Sequence, residues 1–134
     1  MELVSTDSTQ QVTTEEISVL VDAFYGRVQL DPLIGPIFNR EVEDWPAHLG
    51  LLKEFWATVI LGTRSFKGNP MEIHLKLLPE PRHFERWLEL FAETANEVLT
   101  PAHAELFVGK SQRIAETFQR AIASHRSGLG VMPV

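Results

Sequence analysis

The chain has 134 residues, 44% of them hydrophobic and 22% charged, with a formal net charge of −6 and no cysteine. That length suits one packed domain and is too short for two, and the composition is that of a globular rather than a disordered chain. The acidic balance argues against nucleic acid as a partner, and the lack of cysteine excludes disulfides, thiolate nucleophiles and Cys-ligated zinc or iron–sulfur centres.

Residues 1–12 are polar and rich in Ser, Thr and Gln, and are expected to form a flexible tail. They lack the basic start and apolar run of a secretory signal, and no apolar run in the chain is long enough for a bilayer, so the expectation is a cytoplasmic protein without a membrane partner. A single domain is expected over 13–127, followed by a frayed tail over 128–134. Thr13-Thr14-Glu15-Glu16 reads as a capping box, with a helix behind it that places Ile17, Leu20, Val21, Phe24 and Val28 on one stripe and Tyr25 at its edge. Leu30 to Phe38 carries two prolines and a glycine yet stays apolar, which predicts a tight connector against the core with Phe38 buried.

Asp44 is a good N-cap, and Pro46 is tolerated in the first turn of the helix that it starts. Trp45, His48, Leu49, Leu52, Trp56 and Val59 or Ile60 recur there at three- and four-residue steps, with Phe55 alongside. An imidazole on an apolar stripe needs a partner or a ligand, because an unmet polar group costs about 1–3 kcal/mol, so His48 is more informative than His83, His103 or His125. The breaks at Gly62, Gly68-Asn69-Pro70 and Leu78-Pro79-Glu80-Pro81 enclose a short amphipathic turn that carries His74. From His83 to Val98 a helix is predicted with Phe84, Trp87, Leu88, Phe91, Ala95 and Val98 on one side. Thr100-Pro101 starts the last helix, with Leu106, Phe107, Ile114, Phe118 and Ile122 as its apolar positions and an end near Ser127-Gly128. No stretch alternates with period two, so the fold class is all-α.

Phosphate loops, zinc helices, nucleophile elbows and EF-hand loops are all missing. What remains is Phe24, Tyr25, Phe38, His48, Phe55, Trp56, His74 and Trp87, a set of aromatic and imidazole groups drawn from several elements. Such a lining suits a large, flat, apolar ligand with a metal that an imidazole can hold.

From about Ile17 to Phe118 the chain resembles the group III truncated haemoglobins. The matching residues, in order, are Phe24-Tyr25, Asp31 to Phe38, Trp45 to Leu49, Phe55-Trp56, Leu61-Gly62, Phe66 to Pro70, His74, Leu78-Pro79 and Phe84 to Phe91. The resemblance implies a two-over-two helical sandwich around haem b, with His74 as the iron ligand and Phe38 packed on the porphyrin. Tyr25, His48 and Trp87 match the distal pocket, while Phe24, Leu52, Phe55 and Trp56 are expected to complete the cofactor's surroundings. The interval from His74 to Leu78-Pro79 is one residue longer than the family pattern leads one to expect, and the Gly-Gly turns of the other truncated groups are missing, as is normal for group III.

The implied function is reversible binding of O2, NO, CO or cyanide, in O2 or NO handling or the handling of reactive species, with an unidentified reductase as a further partner. Tyr25 and Trp87 offer a phenol and an indole N–H, donors suited to a ligand that gains partial negative charge. Peroxidase-like or NO-dioxygenating catalysis is the alternative, since a globin fold does not decide between binding and turnover. A haemless helical sensor or interaction module is the third reading.

Overall fold

A computed structural model describes residues 11–64 and 80–126, and among them there are five α-helices and no strand. They are α1 (Thr14–Leu30), α2 (Gly35–Glu41), α3 (Trp45–Leu61), α4 (Pro81–Val98) and α5 (Pro101–Arg126). Helices α1 and α3 pack together, α4 packs on α5, and α1 lies on α4, which gives a two-over-two sandwich. The turn around His74 and nearly all of both expected tails lie outside the described residues, although Val12 is buried.

Helices α1, α3 and α4 start where local side chains meet free N–H groups. At α1 the Thr13 hydroxyl accepts from the Glu16 N–H at 3.1 Å, and Glu16 Oε1 accepts from the Thr13 N–H at 3.0 Å, the reciprocal pair read from the sequence. Asp44 accepts from the Ala47 N–H at 3.1 Å to start α3, and Pro46 falls where no intrahelical donor is needed. Helix α3 stops at Gly62, whose φ of 72° is left-handed and whose N–H reaches the Thr58 carbonyl at 3.1 Å. Helix α4 starts at Pro81, two residues before the expected His83, because His83 turns back to cap it: Nδ1 accepts from the Glu80 N–H at 3.3 Å. His83 is thereby buried in a capping role.

The apolar connector expected over Leu30–Phe38 contains the start of a helix. Gly35–Glu41 is helical, with Pro36 in its first turn, and Ile34 and Phe38 are buried as an apolar connector requires. Gly35 permits this helix to sit against the end of α1, since a Cβ there would lie 2.8 Å from the Val28 carbonyl oxygen. Leu30, by contrast, points to solvent. On α5 the buried stripe is Ala104, Phe107, Ser111, Ala115 and Phe118, while Leu106 is 41% exposed. Small residues carry three of those five positions, so the large apolar side chains alone misplace the stripe.

The turn between α1 and α2 is fixed by Asp31. Its Oδ2 accepts from the Leu33 and Ile34 N–H groups at 3.0 and 3.1 Å, and its Oδ1 accepts from Arg86 Nε on α4 at 2.7 Å. Burial alone raises the pKa of this carboxyl, but the hydrogen bonds from Ile34, Arg86 and Leu33 and the Arg86 charge outweigh it and hold the pKa below the usual value. The charged form therefore stabilises the fold above the ordinary carboxylate range, and that contribution is lost as pH falls through the depressed folded-state pKa. Asp31→Asn is expected to lower stability at neutral pH by about 1.5–3 kcal/mol, the scale of hydrogen bonds to a charged group. Denaturant melts should show the gap to the unmodified chain closing towards acid; a gap independent of pH would rule out the ionised carboxylate as its source.

Candidate functional site

The sandwich brings aromatic side chains from four helices into one cluster. Phe24 of α1 meets Trp87 and Phe91 of α4 edge-on, with ring centroids 5.5 and 5.0 Å apart. Trp56 of α3 stacks on Phe91 at 5.2 Å and tilts against Phe107 of α5 at 5.4 Å. Beside this core stands Tyr25, 4.6 Å from Phe24, 5.9 Å from Phe38 and 6.2 Å from His48, centroid to centroid. Tyr25 and Phe24 are consecutive on α1, so their side chains diverge by about 100°, one towards α4 and the other towards α2 and the start of α3.

The polar atoms in this cluster are few. Tyr25 is the one tyrosine in the chain and is 1% exposed. Burial drives its pKa well above the ordinary value, partly opposed by a hydrogen bond from Trp87, so the phenol stays neutral and keeps its proton at physiological pH. The phenol oxygen faces the indole N–H of Trp87, so the two polar groups share one buried spot beside the aromatic core. His48 lies half-buried at the edge of the cluster, and burial lowers its pKa, which favours the neutral imidazole.

Tyr25, His48 and Trp87 are thus brought together, with Phe24 and Phe38 against them. Leu52 and Phe55 are half-buried on α3, and Trp56 is turned into the core between Phe91 and Phe107. His74 lies outside the described residues. Two further histidines are engaged elsewhere: His83 in the α4 cap, and His103, buried, with Nδ1 2.9 Å from Glu16 Oε2. Reading His103 as less informative than His48 underrated it, because the Glu16 that it meets is remote in sequence. Sequence reasoning also passed over Trp45 as part of the site, although it stands one helical turn before His48, with its ring 5.6 Å from the imidazole and 6.1 Å from Tyr25. A surface cavity of about 420 Å3 between α1 and α3, lined by Thr14, Ile17, Lys53, Glu54, Ala57 and Thr63, shares no residue with the cluster.

A two-over-two helical sandwich with a buried phenol, an indole and an imidazole facing one aromatic cluster defines a small globin. No family model matches the chain. It is 35% identical over 118 residues to the group 3 truncated haemoglobin of Campylobacter jejuni, an alignment that takes in 84% of this chain and 93% of that protein. The crystal structure of the group III truncated haemoglobin from Campylobacter jejuni superposes with a TM-score of 0.77 at 35% identity, again over 84% of this chain and 93% of the other. The chain belongs to the group 3 truncated haemoglobins.

The state of Tyr25 can be read directly, because no other tyrosine contributes to the signal. On alkaline titration of the native protein, tyrosinate absorbance is expected to stay missing through the ordinary tyrosine range and to emerge only as the fold opens. A native titration near the ordinary value of 10.0 would mean that the phenol is solvated.

Proposed function

We propose that the chain binds haem b and reversibly takes O2 and other diatomic ligands, NO, CO and cyanide among them, at the iron. Its group 3 membership and the buried Tyr25 O–H, a proton donor held neutral beside Trp87 in an aromatic cluster, support this reading most strongly. The half-buried Leu49, Leu52 and Phe55 on α3 fit an apolar macrocycle, which would bury area that they expose. His74 is proposed as the protein ligand to iron, on its match to the family motif. Phe38 and Phe55 would pack against the macrocycle beside Leu52, with Phe24 and Trp56 as the floor that holds them.

When bound, haem supplies an iron coordination position at which O2 takes on partial negative charge and CO takes on little. Tyr25 is placed to donate its proton to such a ligand. Trp87 strengthens that donation, because an N–H on the phenol oxygen draws charge from the O–H. His48, neutral and at the edge of the cluster, offers a further donor and limits access of water. A donor-rich, water-poor pocket retains O2, which fits handling of O2, NO or reactive species in the cytoplasm, with a reductase as electron donor, better than bulk transport.

An absorption spectrum of the protein loaded with haem, with and without reductant, tests the cofactor: an intense Soret band that shifts on reduction and on CO is expected. His74→Ala should lose haem or give a spectrum restored by added imidazole, and unchanged coordination would remove His74 as the ligand. Tyr25→Phe keeps the ring and deletes the donor. A hydrogen bond to a charged acceptor contributes about 1.5–3 kcal/mol, so O2 dissociation should quicken roughly ten- to a hundredfold while CO dissociation changes much less. Unaltered O2 release in stopped-flow measurements would contradict the assignment of Tyr25.

A further inference from the structure

Trp45 joins three helices at the edge of the cluster. It is the first residue of α3, set by the Asp44 cap, and His48 follows three positions later on the same face of the helix. The two rings meet edge-on, 5.6 Å apart at 85°. Trp45 also tilts against Tyr25 of α1 at 6.1 Å. Its indole N–H donates to Asn39 Oδ1 on α2 at 3.2 Å, and Asn39 Nδ2 in turn donates to the Gln29 carbonyl in the last turn of α1 at 3.0 Å. The indole is therefore fixed from α1, α2 and α3 at once, while His48 has ring contacts with Tyr25 and Trp45 and lies between the buried phenol and solvent.

We infer that Trp45, tethered through Asn39 to the end of α1, is the positioning residue that holds the His48 imidazole over Tyr25, and that it restricts the pocket to small ligands. This rests on the reading of Tyr25 and His48 as the ligand side of a haem pocket. The physical basis is local: a side chain half open to water keeps one orientation only if a neighbour penalises the others. The neighbour must itself be held, and a tryptophan anchored at its N–H on a separate helix meets that condition. Asn39 is exposed and makes its two hydrogen bonds at the surface, so the tether can be cut without opening the core.

The test uses the ferrous haem protein and two ligands of unlike size, CO and n-butyl isocyanide, with His48→Ala as the reference for an unguarded pocket. Asn39→Leu and Trp45→Leu should each speed n-butyl isocyanide association by about two- to tenfold, the span that the loss of an aromatic contact gives at roughly 1.4 kcal/mol per decade. CO association should move much less, and Trp45→Phe, which keeps a ring against His48, should fall between Trp45→Leu and the unmodified chain. In NMR spectra of the CO-bound protein, Asn39→Leu should weaken the cross-relaxation between the Trp45 and His48 rings, a change that general loosening of the surface would not produce. If His48→Ala admits the bulky ligand while the Asn39 and Trp45 variants do not, Trp45 is not the positioning residue and the placement of His48 stands. If none of the variants, His48→Ala included, alters the discrimination, His48 does not stand on the ligand's path and the inference falls with the reading beneath it.

Discussion

The crossing of α1 over α4 at Phe24 is the contact on which the other features depend. Phe24 meets Trp87 and Phe91 edge-on at once, Trp87 and Phe91 stack on each other at 5.5 Å, and Trp56 and Phe107 continue the stack into α3 and α5. Each such pair adds about 0.5–1.5 kcal/mol beyond the area that it buries, and a run of them sets the spacing of the two layers more sharply than aliphatic packing would. Tyr25 follows Phe24 in the chain and so has little freedom once Phe24 is seated. The fold thereby places a phenol oxygen next to the Trp87 N–H as a consequence of packing, and the chemistry of the pocket follows from that placement.

A second constraint keeps polar groups away from the cluster except where they have a use. Asp31, buried at the end of α1, is answered by two backbone N–H groups and by Arg86, the residue before Trp87. That ion pair ties the end of the Tyr25 helix to the Trp87 helix, so the same two elements are joined by an apolar contact at Phe24 and by a charged one at Asp31. Arg86 also reaches Glu89 one turn on, which holds the guanidinium in place at the rim. Among the described residues, the polar groups around Tyr25 are a phenol, the indoles of Trp45 and Trp87 and an imidazole whose burial favours the neutral form, which suits a low-dielectric space where an ion would need a partner.

Much of the architecture was legible in the sequence because it was written in local rules. The Thr13/Glu16 box, the Asp44 cap and the Gly62 stop fix helix ends within four residues, and the structure has them where the spacing put them. Leu30–Phe38 reads as a connector because Pro32, Gly35 and Pro36 lower helix propensity, an effect that the tertiary seat of Gly35 against α1 overrides from Gly35 onward. On α5 the size of Leu106 points to burial, yet the smaller Ala104 occupies the buried face. Pairs such as Asp31 with Arg86 and Glu16 with His103 join residues too far apart in the chain for any spacing rule, and a single sequence holds no signal for them. The pocket residues came from the family resemblance more than from periodicity: Tyr25 sits at the edge of its helix stripe, and nothing in the pattern alone distinguishes it from core filler.

The central claim is that Tyr25 and Trp87 act as one coupled donor, and a double-mutant cycle on O2 dissociation tests it most directly. Tyr25→Phe, Trp87→Phe and the double variant should show an interaction energy of at least about 0.5 kcal/mol, because the indole acts on the ligand chiefly through the phenol oxygen that it holds. Strictly additive effects, with Trp87→Phe as costly without the tyrosine hydroxyl as with it, would contradict the claim and make the two groups independent donors.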